Sequence, residues 1–161
     1  MTAGDRARAM VTVPCDPALA FQIFTEETNS WWRQGIAYRV AGRTPGTIMF
    51  ADGRLLEQFE GGIFETGRVL EWEPPAKLAF EWRGSNFGPG EVTRVDVFFE
   101  PTSSGGTRVT VEHSGFAALR PDHPVRHGKP VAEFTAGLGR WWGDLLSGLR
   151  VHAMGRETDR T

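Results

Sequence analysis

The last third of the chain carries one long amphipathic pattern, and this pattern constrains the fold more than any other feature. Apolar side chains and one histidine recur at steps of three and four residues over about six helical turns: Val131, Phe134, Leu138, Trp141, Leu145, Leu149 and His152. Pro130 suits the first position of such a helix. We predict that the helix ends near His152 and that the polar stretch from Met154 to Thr161 is frayed.

A helix with a single apolar stripe must bury it against another layer, and the upstream sequence predicts that layer as antiparallel strands. From Arg6 to Val13, apolar residues alternate with polar or neutral ones, which is typical of a half-buried strand. Short turns then separate further runs of the same kind: Asp52-Gly53, Gly61-Gly62, Pro74-Pro75 and the segment from Ser103 to Gly106. Because the connections are short, we expect a meander without crossover helices.

Two short helices are predicted between the first strand and this meander. Asp16 followed by Pro17 is a strong helix start, because the carboxylate accepts hydrogen bonds from free backbone amides and proline presets φ. A second helix is expected from Glu26 to Trp32, capped by Thr25. The sequence therefore predicts an α+β fold in which a curved antiparallel sheet of about seven strands wraps around the C-terminal helix. A sheet and a single helix do not close perfectly, so an apolar cavity is expected between them.

Length and charge exclude several classes of protein. A chain of 161 residues suits one domain, and we expect residues 1–161 to form it, with an ordered core at about 6–153. Eighteen basic and twenty acidic residues leave a formal charge of minus two, without the basic stripe that nucleic acid requires. No apolar run approaches the ~20 residues of a membrane span. The lone Cys15 cannot form an internal disulfide, and we expect a cytoplasmic protein.

Three stretches resemble a known family. Ala20, Phe21, Phe24 and Thr25, followed by Ser30-Trp31-Trp32, resemble the opening of the START-like helix-grip (SRPBCC) superfamily. The run from Gly67 to Pro75, GRVLEWEPP, with KLAFEW from Lys77 to Trp82, is similar to the signature of bacterial homologues of the heat-shock-protein-90 ATPase activator. The run from Thr107 to Phe116, TRVTVEHSGF, adds a third match in the expected order. The resemblance implies the helix-grip fold and a single START-like domain.

The resemblance implies less about function, because this superfamily includes ligand carriers, polyketide cyclases and chaperone activators. Our first hypothesis is that the chain binds a small hydrophobic or amphipathic molecule between sheet and helix. The alternatives are an enzyme of the polyketide-cyclase type, acting on an aromatic substrate, and a partner of a chaperone ATPase. No cofactor is expected, and a homodimer is left open.

Aromatic residues on the faces turned towards the helix are the leading candidates for a pocket. Rigid rings offer a large contact area to a flat apolar ligand, although each ring can equally serve as core packing. The candidates for ligand binding are Trp31, Trp32, Phe59, Phe80, Trp82, His113, Phe116, Leu138, Trp141, Trp142 and Leu145. Four glycines interrupt the helix at 137, 139, 143 and 148. The favoured explanation is close packing against strands, and the alternative is space for a ligand beside Trp141 and Trp142.

Two titratable residues are candidates for acid or base chemistry. His113 follows Val109 and Val111 on one strand face, so its imidazole should point inward. A structural hydrogen bond is the more common role for such a histidine. Glu57 lies between Leu55 and Phe59, and an inward carboxylate there would have a raised pKa. A register shifted by one residue would place it in water, and the sequence favours this solvated position.

Two further histidines, together with Asp122 and His113, offer a weak metal motif. His123 and His127 are four residues apart, with Asp122 beside the first. Pro124 disfavours a regular helix that would present both imidazoles to one ion. We therefore expect no metal site.

Overall fold

The structure, a computed structural model, describes residues 6–33, 38–40, 46–83, 87, 90–116 and 131–159, without the side chains of 131, 132 and 157–159. Seven antiparallel strands form one sheet in the order β1-β7-β6-β5-β4-β3-β2. The strands are β1 (Arg6–Val13), β2 (Gly46–Ala51), β3 (Arg54–Phe59), β4 (Gly62–Glu73), β5 (Lys77–Trp82), β6 (Thr93–Pro101) and β7 (Thr107–Ser114). The helices are α1 (Pro17–Glu26), α2 (Thr28–Trp31) and α3 (Val131–Asp159). This confirms the α+β helix-grip prediction.

Strict alternation along the central strands places one apolar face under the helices. This face is contributed by Leu78 and Phe80 on β5, Val95, Val97 and Phe99 on β6, and Val109 and Val111 on β7, all buried. Charged side chains alternate with them on the outer face, where Lys77 and Arg94 form ion pairs with Glu71 and Asp96. The sheet is therefore apolar towards α3 and charged towards solvent.

Two irregularities bend the sheet around the helix. The register shifts between Leu55 and Leu56 on β3, and again between Val69 and Glu71 on β4. Such bulges increase the local twist and bend the strand. The β2–β3 turn has the predicted geometry, because Asp52 and Gly53 both have positive φ, at 54° and 73°.

The two short helices predicted after β1 are present, but the boundary between them differs from the prediction. Asp16 caps α1 as predicted, since its Oδ1 accepts a hydrogen bond from the Leu19 amide at 2.9 Å. The prediction that Thr25 caps a helix beginning at Glu26 is wrong. Thr25 lies in the last turn of α1, where its hydroxyl donates to the Phe21 carbonyl. The second helix is correspondingly shorter and has no side-chain cap.

The C-terminal helix is longer than its apolar stripe predicts. It continues through Met154 to Asp159, so the expectation of a frayed end from Met154 onward is wrong. Two side chains hold this last part: His152, at the end of the stripe, and Arg156, beyond it, reach the Glu27 carboxylate through Nε2 at 2.7 Å and Nη2 at 2.8 Å. Ala153 is also buried.

Two of the helical glycines mark close backbone approaches. A Cβ on Gly139 would lie 3.3 Å from the Arg8 carbonyl oxygen, and one on Gly148 would lie 2.8 Å from the Trp31 carbonyl oxygen. Close packing is thus confirmed at these positions, although Gly148 packs against α2 rather than against a strand. An added Cβ on Gly143 would meet nothing within 4 Å.

Candidate functional site

His113 is the polar centre of the site at the N-terminal half of α3. Alternation on β7 turns its ring inward, and the side chain is buried. Its Nδ1 accepts a hydrogen bond from Trp142 Nε1 at 3.1 Å, and its Nε2 lies 2.8 Å from Thr93 Oγ1. Because an indole N–H can only donate, Nδ1 carries no proton and the Nε2–H donates to Thr93. The Thr93 hydroxyl then donates to the Trp82 carbonyl at 3.0 Å.

This chain of hydrogen bonds fixes His113 as a neutral imidazole. Burial lowers the pKa of His113 from 6.5 to about 3, because the charged form would lose its hydration in an apolar surrounding. Both ring nitrogens are engaged within the protein. The geometry therefore gives His113 a structural role, with side-chain rather than backbone partners.

Tryptophan rings pack around this histidine between the sheet and the helix. Trp32 stacks on Trp82 with centroids 6.0 Å apart and an interplanar angle of 12°. Trp142 meets both rings edge-on, at 5.8 and 5.9 Å. Trp141 adds a further edge contact with Trp82 at 6.1 Å. We call Trp32, Trp82, His113, Trp141 and Trp142 the tryptophan cluster.

Exposure differs across the tryptophan cluster. Trp32, Trp142 and His113 are buried, whereas Trp82 and Trp141 are only half-buried. Further half-buried side chains border the same end of the hollow: Tyr38, Phe134 and Leu138. The Tyr38 ring stacks on Trp141 at 6.0 Å. The cluster thus has a closed floor and a partly open aromatic rim.

The other predicted pocket residues occupy three different places. Phe116 joins the cluster through His113, with ring centroids 4.8 Å apart. Trp31, Phe80 and Leu145 are buried core residues, and Phe80 contacts Phe50 rather than the cluster. Phe59 is half-buried at the end of β3, where its ring lies beneath Gly62.

Glu57 is buried, so the favoured solvated position is wrong. Its side chain is 4% exposed, on the same side as Leu55. The carboxylate Oε2 accepts a hydrogen bond from the Val40 amide at 2.7 Å. Arg39 is also buried; burial lowers its pKa below the ordinary value, and the nearby Glu57 charge opposes this shift. The Val40 amide and the nearby Arg39 guanidinium thus replace water around this buried carboxyl group.

Two residues of these networks were missed from the sequence. Thr93 lies two positions before Val95 on the inward face of β6, a signal that alternation could have supplied. Arg39 donates to three carbonyl oxygens, those of Trp32, Arg33 and Gly46, at 2.9 to 3.1 Å. No local pattern around Arg39 indicates this role, because its partners come from separate segments.

The metal motif cannot be placed, since Asp122, His123 and His127 lie outside the described residues. Within the described ranges, no group of three or more His, Cys, Asp or Glu side chains is arranged to hold a metal ion. No helix in the described part of the chain is both long and apolar enough to cross a membrane.

Known proteins with the same fold are similar to this chain in sequence and structure. A family model described as Activator of Hsp90 ATPase homolog 1-like protein matches residues 14–146. Curated protein sequences give no match. Among solved structures, the self-sacrificing resistance protein CalC from Micromonospora echinospora is 25% identical, with a TM-score of 0.64 over 95% of this chain and 97% of that one.

Two further solved structures show how widely this fold is used. The anthrahydroquino-γ-pyrone synthase Txn09 is 26% identical, with a TM-score of 0.53 over 92% of this chain and 98% of that one. The Aha1 dimer from Colwellia psychrerythraea is 16% identical, with a TM-score of 0.60 over 90% and 92% of the two chains. At 16% identity, the similarity to the Aha1 dimer concerns the fold alone.

Proposed function

We propose that this chain, which belongs to the family of Activator of Hsp90 ATPase homolog 1-like proteins, binds a small molecule. The molecule is flat and apolar, and it lies at the rim of the tryptophan cluster. The observation that carries the proposal is the half-buried state of Trp82 and Trp141 above a buried floor. A ligand lying on these rings would remove their remaining apolar surface from water, which is favourable in proportion to area.

The hydrogen-bond chain supports this proposal, because it holds the floor of the site rigid. Trp142 is tied to His113, and His113 is tied through Thr93 to the Trp82 backbone. Rings that are already fixed lose little conformational entropy when a ligand binds. A planar aromatic molecule is the ligand class that suits such a surface best.

One of the similar solved structures favours the same ligand class. Txn09 is described as a synthase of an anthrahydroquino-γ-pyrone, which is a flat, fused-ring molecule. Catalysis by His113 has less support in this chain, since neither ring nitrogen is available and the pKa lies near 3. A chaperone partner is supported by the family description alone.

The test is direct binding of an anthraquinone, measured by equilibrium dialysis, to the wild-type chain and to two tryptophan variants. Trp141→Ala should weaken binding at least tenfold, because it removes one rim ring. Trp72→Ala is the matched control: Trp72 is 47% exposed and contacts Phe21 and Phe50 at the other end of the molecule. It should leave binding within twofold of wild type.

Three results would contradict the proposal: absence of anthraquinone binding, equal losses in both variants, or a loss only in Trp72→Ala. Mass spectrometry of the recovered anthraquinone separates binding from catalysis. An unchanged molecule supports a binding protein, and a converted one would replace the binding proposal by the enzyme alternative.

A further inference from the structure

The outer edge of β1 is open over part of its length. Among the described strands, β1 pairs with β7 alone. On the other side, α3 covers the strand at Arg8, where Gly139 approaches the backbone. A groove of about 660 Å³ opens beyond this contact, along Met10 to Pro14, between β1 and the C-terminal half of α3. The opposite edge of the sheet is different, because the Asn29 side chain accepts a hydrogen bond from the β2 amide of Ile48 at 3.1 Å.

The register of β1 shows which backbone groups face this groove. The N–H and C=O of one residue point to the same side of a strand, and successive residues alternate. Arg8 turns its amide and carbonyl towards Gly139, whereas the Val13 carbonyl lies against Gly106 on the β7 side. The even-numbered residues Met10 and Thr12 therefore direct their N–H and C=O groups into the groove. Neither residue has a hydrogen bond outside the strand ladder within the described part of the chain.

The side chains that line this groove are apolar, neutral polar or cationic. Met10 is 53% exposed, and the rim carries Arg108 from β7 and Arg150 from α3. Both arginines are exposed, and neither has an ion pair with any described residue. Glu100 is the cross-strand neighbour of Arg108, but it does not line the groove. No acidic residue lines it among the described positions.

We infer that this edge is a docking site for an extended, acidic segment of another protein, which adds to the sheet as a strand beside β1. The exposed groups of Met10 and Thr12 supply main-chain hydrogen bonds at strand spacing, and the four strand residues from Met10 to Val13 span about 13 Å. Arg108 and Arg150 select acidic side chains. A second copy of this chain fits poorly, since pairing two such edges would bring the arginines of both copies together.

The first experiment blocks the backbone contacts. Thr12→Pro removes an amide that faces the groove rather than β7, and edge strands tolerate proline at such positions. Thr12→Ala is the matched control that keeps the amide. The probe is a pool of synthetic eight-residue peptides of Asp, Glu, Val, Ile and Thr, with a second pool in which Lys replaces the acids. We expect the strongest acidic peptide to bind wild type and Thr12→Ala within twofold of each other, and Thr12→Pro at least tenfold more weakly.

The second experiment tests the charge. The double variant Arg108→Glu/Arg150→Glu reverses both rim charges and should weaken binding of the same acidic peptide at least tenfold. Arg140→Glu is the control, because Arg140 lies on the same helix but lines the neighbouring groove beside Arg6 and Arg8. It should change binding less than twofold.

A third measurement needs no variant, and it keeps the inference falsifiable if Thr12→Pro does not fold. In the free chain, the amides of Met10 and Thr12 should exchange with solvent much faster than those of Ala9 and Val11, and the acidic peptide should slow them at least tenfold. The inference is overturned if no acidic peptide binds, if the lysine pool binds equally well, or if these amides are already protected. It is also overturned if sedimentation shows a dimer that Thr12→Pro dissociates.

Discussion

His113 and Glu57 are both buried titratable side chains on the inner face of one sheet, yet the protein treats them in opposite ways. His113 has only neutral partners, the indole of Trp142 and the hydroxyl of Thr93. Glu57 accepts from a backbone amide and lies in the field of Arg39. The difference follows from their chemistry, because an imidazole becomes neutral at modest cost near neutral pH, whereas a carboxylate at that pH needs a cation.

The comparison also separates two kinds of stability. At His113 the protein depends on hydrogen bonds between uncharged groups, which salt does not screen. At Glu57 it depends on the electrostatic field of Arg39 and on the hydrogen bonds that both side chains make to the backbone. Removing one partner should therefore be far more harmful at the charged site.

The largest expected effect is at Arg39. Arg39→Met should lower the free energy of unfolding by about 3–5 kcal/mol, because it leaves three backbone carbonyl oxygens without their donor and the buried Glu57 without the nearby cation. Urea denaturation checks this value. Arg68→Met is the control, since Arg68 pairs with Glu81 on the outer face and is 67% exposed; its loss should be hard to measure. Similar midpoints for the two variants would remove the distinction between the buried and exposed cations.

The second-largest expected effect is the loss of stability at acid pH, which we attribute to His113. Its pKa is about 3 in the folded chain and 6.5 in the unfolded chain, so the unfolded state binds the extra proton between these values. This contribution to stability is complete above pH 6.5 and is lost as the pH falls towards 3, at up to about 1.4 kcal/mol per pH unit. Denaturation at several pH values should show a shallower dependence in His113→Phe. Parallel curves for the two proteins would mean that His113 is not held neutral.

The side chain itself has a smaller effect at neutral pH. His113→Phe should lower the free energy of unfolding by about 1–3 kcal/mol, because it leaves the Trp142 N–H buried without an acceptor. In the His113→Phe protein, the further substitution Trp142→Phe should lower the free energy of unfolding by less than it does in the wild-type chain. A double-mutant cycle in urea measures this coupling, and strictly additive losses would argue against the Trp142–His113 hydrogen bond.

The smallest expected effect is at the end of the hydrogen-bond chain. Thr93→Val should lower the free energy of unfolding by about 1 kcal/mol, because it removes the acceptor of the His113 Nε2–H while keeping the side-chain shape. Thr93→Ser keeps the hydroxyl and should recover most of that loss. Nitrogen chemical shifts of His113 provide the second readout, and an unchanged tautomer signal in both variants is expected. A change to the Nδ1–H form in wild type would contradict the assigned direction of the hydrogen bonds.

Local patterns in the sequence were sufficient for most of the fold. Alternation on β5, β6 and β7 gave the inward face, including His113, and Asp16 gave the start of α1. These signals succeed because each depends on neighbours within one or two turns or along one strand. The end of α3 was missed because Glu27, a residue far away in the chain, holds it. The burial of Glu57 was missed for the same reason, since its partners are Arg39 and Val40.

The sequence by itself determined which faces are apolar, where the turns lie and which family the chain resembles, because periodicity and turn chemistry are properties of adjacent residues. Only the tertiary structure decided the protonation of His113, the burial of Glu57 near Arg39 and the division of the tryptophans into a buried floor and a half-buried rim. These properties depend on which distant groups replace water around a side chain, and that is settled only when the sheet closes around the helix.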